Sequence, residues 1–267
     1  MRDKIIVIGN VKKLIGATDE LLERAPNTPG IGLVSGAVGL GKTTAARHVC
    51  LLQDGYWVEA QAEWTPAWMM TDLAAEVGCG RFHSTQRNFE AVTRALRAEP
   101  RPIFIDEADR LCARMRLVET LRAIHDATTA PLILIGMSQL PTAIYAIPQV
   151  VSRLAAAVEF EPCDLADTRL LARELAEIEI AEDLVKELHR QTAGEPRAIR
   201  IALQRLERVA SRGSKRRLAL ADLPPGFAFA FRHRVERPKA KPRAAEVVAL
   251  KAVPKDEKPG GNGDAEA

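Results

Sequence analysis

A glycine-rich stretch that follows an apolar run constrains this chain more than any other feature. Residues 36–43 match the pattern G-x-x-x-x-G-K-[ST], between the apolar residues 31–34 and a helical segment at 44–52. A strand, a glycine loop and a helix in this order form a P-loop. Such a loop directs backbone N–H groups toward phosphate oxygens, and the positive end of the following helix adds to the attraction. The sequence therefore predicts a site for the phosphates of a nucleotide.

The P-loop also predicts roles for individual side chains. Lys42 would bridge the β- and γ-phosphates of ATP, and the hydroxyl of Thr43 would hold Mg²⁺. The predicted nucleotide-binding residues of this segment are Gly36, Ala37, Val38, Gly39, Leu40, Gly41, Lys42, Thr43 and Thr44. A chance glycine-rich turn is the alternative, and the agreement of the whole motif in the right context makes it the weaker interpretation.

An acidic pair follows a second apolar run. Residues 103–105 are all apolar, as a strand buried on both faces requires, and Asp106 and Glu107 come next. Ligands of parallel sheets meet the carboxyl ends of the strands. We therefore predict that Asp106 belongs to the Mg²⁺ shell through water and that Glu107 is the base that polarises the attacking water. Both could instead be ordinary acids at a helix start, but the P-loop upstream favours the catalytic interpretation.

Alternating apolar runs and helical segments predict an α/β fold with a parallel, doubly wound sheet. Besides the strands of the two motifs, strands are expected at residues 56–60 and 131–136. Helices are expected at residues 18–24, 67–77, 89–99 and 117–127. The first of these helices would be capped by Thr18 or Asp19.

The chain is predicted to divide into four parts. They are a strand or helix extension at residues 1–30, an α/β nucleotide-binding domain at 31–160, a small helical lid domain at 161–225 and a tail at 226–267. Three amphipathic segments predict the lid, at residues 164–177, 181–192 and 197–210. The tail is basic and rich in Pro and Gly, so we expect it to be disordered. Near its start, Phe227, Phe229 and Phe231 could form a short docking strand.

Composition excludes several classes of protein. The formal charge of +3 is too small to indicate a nucleic-acid partner by itself. No apolar run approaches the roughly 18–20 residues of a membrane span, so no membrane partner is expected. The four cysteines are far apart without a C-x-x-C pair, which disfavours a zinc site or disulfides and favours a cytoplasmic location. They are Cys50, Cys79, Cys112 and Cys163.

The combined motifs resemble those of AAA+ ATPases, and most closely the target-DNA activators of transposition systems, the group of the phage Mu B protein. The resemblance extends over residues 15–215 and implies three further site residues. Ser138 or Gln139 takes the place of the family's first sensor, and the sequence does not choose between them. Arg153 takes the place of the arginine finger, which acts on nucleotide in a neighbouring subunit. Arg197, in Gly-Glu-Pro-Arg, takes the place of the second sensor.

Each of the two arginines also has a plainer interpretation. Arg153 could be a surface residue that caps a helix, and residues 194–197 could be a simple Gly-Pro turn. The resemblance favours the finger and the sensor. It implies ATP and Mg²⁺ as cofactors, self-association into a ring or helical filament on double-stranded DNA, and stimulation of a transposase. The alternatives are an ATPase of the secretion or general-assembly branch, or a nucleotide-switched structural subunit without a DNA role.

A filament that coats any sequence must contact phosphates rather than bases. Arginines in two clusters are the preferred candidates, the first before Phe89 and the second just after the acidic pair. They are Arg81, Arg87, Arg110, Arg114 and Arg116. A third group of basic residues lies at 197–217, and the tail adds more at 232–243. For any single arginine, an ordinary solvated helix face is the simpler interpretation. Trp57, Trp64 and Trp68 are expected to pack rather than stack on bases.

Overall fold

The computed structural model describes residues 1–25 and 28–229 and contains one five-stranded parallel sheet. The strands are β1 (Ile31–Gly36), β2 (Tyr56–Glu59), β3 (Ile103–Asp106), β4 (Leu132–Ile135) and β5 (Leu154–Phe160). Their order across the sheet is β2-β3-β4-β1-β5. The predicted α/β class with a parallel sheet is therefore confirmed. The predicted tail lies outside the described residues from 230 onward.

Helices connect the strands and continue beyond the sheet. They are α1 (Gly9–Glu23), α2 (Lys42–Leu52), α3 (Pro66–Glu76), α4 (Thr85–Ala98), α5 (Asp109–Cys112), α6 (Met115–Thr128), α7 (Leu140–Tyr145), α8 (Pro148–Val151), α9 (Leu165–Leu175), α10 (Glu182–Thr192) and α11 (Pro196–Arg212). A small parallel ladder pairs β6 (Glu179–Ile180) with β7 (Arg217–Leu218). Within the described ranges, no helix is long and apolar enough to cross a membrane.

Side chains of the central strands alternate between two hydrophobic cores, one on each face of the sheet. In β3, Ile103 and Ile105 belong to the core formed with α3, α4 and α6. Phe104, between them, belongs to the core formed with α1, α2 and the helices α9 to α11. This alternation is the period of two that a strand imposes, and both faces are apolar because helices cover both. The sheet is thus doubly wound, as predicted.

The sheet register brings three strand ends together at one edge. Val34 of β1 pairs with Ile135 of β4, and Ile105 of β3 pairs with Leu134 of β4. Because all strands are parallel, the segments that follow β1, β3 and β4 leave the sheet side by side. Two of these segments are the P-loop and the acidic pair.

The N-terminal prediction was wrong in its boundaries. The helix runs over Gly9–Glu23 rather than starting at Thr18, and no strand forms in residues 1–8. Thr18 does not cap this helix, because it lies in the second half of α1. Its side chain is buried, and its hydroxyl donates a hydrogen bond to the carbonyl of Leu14 (2.8 Å). Buried Val11 and Leu14 explain the longer helix, since its first two turns pack on the core.

Two further expectations also need correction. Strand β5 was missed altogether, because residues 154–160 are rich in alanine and carry little strand signal. At the other end, Phe227 and Phe229 pack edge to face with ring centroids 5.1 Å apart and do not form a strand. Phe229 is buried in the core beside α11, and Phe231 lies outside the described residues.

Candidate active site

The P-loop leaves β1 at Gly36 and runs into α2 at Lys42, as the motif predicts. Gly39 has φ +87° and Gly41 has φ +84°, a left-handed region that side chains with a Cβ rarely adopt. These two glycines therefore allow the tight turn that directs the loop back over the end of the strand. Gly41 is a fixed glycine of the motif, whereas Gly39 occupies one of its variable positions.

The side chain of Lys42 reaches back across the P-loop that precedes it. Its ammonium group donates hydrogen bonds to the carbonyls of Gly36 (2.8 Å) and Ala37 (2.9 Å). Burial lowers the pKa of Lys42, while the charges of Asp109, Asp106 and Glu107 act in the opposite direction. The lysine is therefore a partly desolvated cation beside three carboxylates. Lys42 and the loop N–H groups would attract a phosphate chain, and a metal ion bound with the phosphates would offset the charge of the carboxylates.

A cleft of about 160 Å³ gathers most of the predicted site residues. Its walls contain Val38, Gly39, Gly41, Lys42, Thr43, Thr44, Asp106, Glu107, Asp109, Gly136, Met137 and Arg197. Nine of these residues were predicted from the sequence. Asp109, Gly136 and Met137 were not, although they come from the segments that follow β3 and β4. Of the other predicted P-loop residues, Leu40 turns into the hydrophobic core.

Asp106 and Glu107 occupy different environments although they are adjacent. Asp106 ends β3, is 5% exposed and accepts a hydrogen bond from the backbone N–H of Glu107 (2.9 Å). Glu107 has φ +54°, a conformation that is unfavourable by about 1–3 kcal/mol for a residue with a side chain. Such strain is concentrated at functional sites. The turn leaves Glu107 half-buried in the cleft wall, with one carboxylate oxygen 3.9 Å from the guanidinium of Arg110.

The residues present fit Mg²⁺ bound to a nucleotide. Thr43 supplies a hydroxyl oxygen and Asp106 a carboxylate in the same cleft, and magnesium prefers such hard oxygen ligands. Over the part of the chain that the structure describes, no group of three or more His, Cys, Asp or Glu could hold a metal. Nucleotide-bound magnesium needs only one or two carboxylates, because phosphates and water complete its shell.

Asp109 is the residue that sequence reasoning missed at this site. Its Oδ2 accepts a hydrogen bond from the backbone N–H of Met137 (2.6 Å), in the turn after β4. Its Oδ1 is buried and has no hydrogen-bond partner among the described residues. No local sequence signal marks it, because Asp109 follows the turn after β3 and its hydrogen-bond partner is 28 residues away.

Ser138 and Gln139, the two sensor candidates, lie just beyond this cleft. Both are exposed in the turn before α7, and the cleft wall is formed by their neighbours Gly136 and Met137. The structure therefore does not bring either side chain into the wall. Their role as a sensor of the γ-phosphate stays a prediction.

Arg197 lies beside the P-loop, where the resemblance places a second sensor. Its backbone N–H donates to the carbonyl of Gly39 (3.2 Å), and it forms part of the cleft wall. The neighbouring Glu195 packs so closely that a Cβ added to Gly39 would lie 2.0 Å from its Oε1. The start of α11 is therefore in direct contact with the P-loop, which is why Gly39 has room only for a hydrogen.

Arg153 lies at the other end of the sheet. Its carbonyl accepts a hydrogen bond from the N–H of Ile31 (2.9 Å), the first residue of β1. The guanidinium forms a two-pronged ion pair with Asp126 of α6, with Nε 2.9 Å from Oδ1 and Nη2 3.1 Å from Oδ2. Burial would raise the pKa of Asp126, but Arg153 and Arg122 outweigh it and lower that pKa. Arg153 is thus held in a fixed orientation and remains about one-third exposed.

A larger cleft of about 550 Å³ continues from the P-loop toward the N-terminus. Its wall is mostly apolar and contains Ile5, Ile6, Ile8, Leu40, Ala45, Phe160, Leu171 and Leu175. Gly39, Gly41 and Arg197 belong to both clefts, so the two adjoin. A volume of this size with an apolar wall suits a nucleoside. Sequence reasoning missed this part because the apolar residues 5–8 read only as a weak secondary-structure element.

The five arginines predicted to contact DNA fall into two classes. Arg110 donates to the carbonyl of Ala60 (2.7 Å), and Arg114 donates to the carbonyl of Trp64 (2.6 Å). These two side chains hold the loop after β2 against α5 and the start of α6. The side chains of Arg81, Arg87 and Arg116 are exposed and have no hydrogen-bond or ion-pair partner within the described ranges. They remain candidates for phosphate contacts.

The three tryptophans differ from one another. Trp64 is fully buried, and its indole N–H donates to Asp72 (2.8 Å). Trp57 packs against Phe104 with ring centroids 6.4 Å apart. Trp68, however, is 46% exposed in the first turn of α3, so the expectation that it packs was wrong.

Comparison with known proteins agrees with this description. Residues 24–144 match the family model of the AAA domain. No curated protein matches the sequence significantly.

Three solved structures illustrate the fold that this chain shares. The Orc1 protein of Aeropyrum pernix in complex with DNA is 20% identical (TM-score 0.55), and the match covers 80% of this chain and 62% of that one. Cdc6p from Pyrobaculum aerophilum is 16% identical (TM-score 0.59), with coverage of 83% and 68%. The Thermotoga maritima RuvB Holliday junction branch migration motor is 20% identical (TM-score 0.55), with coverage of 80% and 66%. The chain therefore has the fold of a P-loop AAA+ ATPase and spans only about two-thirds of these proteins.

Proposed function

We propose that this chain is an ATPase that assembles as a ring or helical filament on double-stranded DNA, with ATP held between adjoining copies. The AAA+ fold, the P-loop and the carboxylates at the end of β3 support ATP binding and hydrolysis. The fold is shared with an Orc1 protein that was solved in complex with DNA and with RuvB, a motor that acts on Holliday junctions. Contact with DNA is carried over from these proteins as part of the proposal.

The position of Arg153 is the observation that carries the assembly. The carbonyl of Arg153 accepts a hydrogen bond from the N–H of Ile31, the first residue of β1. The P-loop begins at Gly36, the last residue of the same strand. Five residue steps of about 3.3 Å separate these ends by roughly 16 Å, which is longer than an arginine side chain. Arg153 therefore cannot serve the nucleotide of its own chain. A second copy must bring its P-loop to this arginine if the guanidinium is to act on a phosphate.

Hydrolysis would use the cleft residues in separate roles. When bound, Mg²⁺-ATP supplies the phosphoryl bond that is broken and a metal charge that offsets the phosphate charge. Lys42 and the loop N–H groups would hold the phosphates, the Thr43 hydroxyl would hold the metal, and Asp106 would join the metal's shell through water. Glu107 accepts a hydrogen bond from the attacking water and takes its proton. Arg153 of the adjoining copy stabilises the negative charge that spreads over the transferred group.

We further propose that the DNA-bound assembly recruits or stimulates a transposase and that hydrolysis releases it. The resemblance of the motifs to target-DNA activators supports this step. A strand-transfer assay with a candidate transposase tests it, with the Lys42→Ala variant as the comparison. If the wild-type protein raises strand transfer no more than Lys42→Ala does, the transposition role is wrong.

ATP-dependent assembly on DNA is tested by electron microscopy and light scattering. The purified protein is mixed with duplex DNA and either a slowly hydrolysed ATP analogue or ADP. We expect ordered oligomers on the duplex with the analogue only, and a rate of ATP hydrolysis that rises when duplex DNA is added. A protein that stays monomeric with the analogue and hydrolyses ATP at a rate indifferent to DNA would contradict the proposal.

Phosphate contacts by Arg81, Arg87 and Arg116 predict a specific change in salt dependence. Binding to duplex DNA should weaken with salt, and the slope of log K against log salt should fall by about 0.9 for each phosphate that the protein no longer neutralises. A triple alanine variant at these positions should therefore show a shallower slope with any duplex sequence. Fluorescence anisotropy over a salt series measures it.

The control removes the same charge from a different surface. Arg208, Arg212 and Arg216 are also exposed, and nothing in the described part of the chain pairs with their side chains. Their triple alanine variant should keep the wild-type slope. If this variant lowers the slope and the first does not, DNA lies on the α11 side of the molecule and the assignment is wrong.

A further inference from the structure

Asp109 connects the segments that follow β3 and β4. Two hydrogen bonds cross between them, from the N–H of Ala108 to the carbonyl of Ile135 (2.8 Å) and from the N–H of Met137 to Oδ2 of Asp109 (2.6 Å). The first is ordinary backbone pairing at the end of the sheet. The second uses a carboxylate to hold the turn that begins at Gly136, and bonds to an ionised acceptor are stronger than neutral ones.

Gly136 makes this contact possible. A Cβ added at Gly136 would lie 2.4 Å from Oδ2 and 2.9 Å from Cγ of Asp109, closer than any real packing distance. A side chain here would therefore push the carboxylate away from Met137. Because the backbone of Gly136 is not in the left-handed region, space rather than φ is what requires glycine.

The other oxygen of Asp109 has no such partner. Asp109 belongs to the cleft wall. Its Oδ1 is buried and has no hydrogen-bond partner within residues 1–25 and 28–229. Leaving a carboxylate oxygen buried and unpaired is unfavourable, and such exceptions call for an explanation such as a missing water, ion or ligand. Lys42 and Thr43, which would bind phosphate and metal, lie in the same wall.

We infer that Asp109 is a positioning residue that fixes the turn at residues 136–139 facing the γ-phosphate, and that its free oxygen accepts a hydrogen bond from water that arrives with the nucleotide complex. The inference rests on the proposed ATPase function, because it assumes that a nucleotide occupies this cleft. It explains why neither sensor candidate needs to enter the cleft wall: Gly136 and Met137 form this part of the wall, and Asp109 holds their turn in place. Discrimination between ATP and ADP then depends on Asp109.

Nucleotide affinities of three variants test the role of Asp109. For Asp109→Ala we expect at least a tenfold loss of the preference for a slowly hydrolysed ATP analogue over ADP, with ADP affinity changed less than twofold. Gly136→Ala should show the same loss, because its methyl group displaces the carboxylate. Asp109→Asn should lose less, since its amide oxygen can still accept from Met137. Isothermal titration calorimetry with each nucleotide measures these affinities.

Hydrogen exchange shows whether the variants loosen the turn, and a loss of affinity confined to the ATP analogue separates positioning from a merely structural role. Amides of residues 136–139 should exchange faster in Asp109→Ala and Gly136→Ala but not in Gly16→Ala, a glycine of α1 with nothing within 4 Å of an added Cβ. Equal losses of ADP and ATP affinity, or an unchanged preference, would overturn the inference. If Asp109→Ala does not fold, Gly136→Ala and Asp109→Asn decide by the same criteria. Wild-type protein that binds no ATP analogue would instead contradict the proposed function itself.

Discussion

A Glu107→Gln variant is expected to bind ATP, remain assembled on DNA and hydrolyse ATP about 10²- to 10⁴-fold more slowly than the wild-type protein. Glutamine keeps the size of the side chain and can still accept a hydrogen bond, but it cannot take a proton from water. Lys42, Thr43 and Asp106 would be unchanged, so the affinity for Mg²⁺-ATP should stay close to that of the wild-type protein. Phosphate release measures the turnover, and a binding assay with labelled ATP measures the affinity.

The structure provides a matched control for this variant. Glu59, at the end of β2, lies 3.7 Å from the guanidinium of Arg110, which also lies 3.9 Å from Glu107. Glu59→Gln therefore removes the same charge from the same arginine without touching the cleft wall. It should hydrolyse ATP at the wild-type rate. Unchanged turnover in Glu107→Gln would show that another group acts as the base.

The sequence predicted those parts of the fold and site whose chemistry is local. The P-loop motif fixes a glycine at position 41, where the backbone is left-handed (φ +84°). The apolar run 103–105 had to be a strand covered on both faces, and the acids after it had to meet the P-loop at the same sheet edge. Both predictions needed only short-range rules and the parallel direction of the strands.

Features that depend on distant partners were not visible in the sequence. Strand β5 is rich in alanine, a poor strand former, and it exists because all of β1 pairs with it. Arg110 and Arg114 looked like free basic residues, yet backbone carbonyls some 50 residues earlier accept their hydrogen bonds. Asp109 was passed over because its partner Met137 is 28 residues away. In each case the contact partner lies far away in sequence, where no local rule applies.

Replacing Arg153 with alanine is expected to lower ATP hydrolysis about 10³- to 10⁵-fold while leaving nucleotide binding unchanged. The guanidinium lies at the far end of β1 from the P-loop of its own chain, so its loss should not disturb the cleft. Stability should change little, because the ion pair with Asp126 is part-exposed and such pairs contribute little. Arg122 is the control: it also pairs with Asp126 (2.8 Å), and Arg122→Ala should hydrolyse ATP normally.

Mixing two inactive variants tests whether Arg153 acts on a neighbouring copy. Lys42→Ala subunits cannot hold the phosphates but keep the arginine, whereas Arg153→Ala subunits keep the P-loop but lack it. In an equal mixture, about one adjoining pair in four places an intact P-loop against an intact arginine, so activity should return to roughly a quarter of the wild-type rate. Recovery on mixing is possible only if the two residues meet across an interface. A mixture as inactive as its components would mean that Arg153 does not complete the site of an adjoining copy.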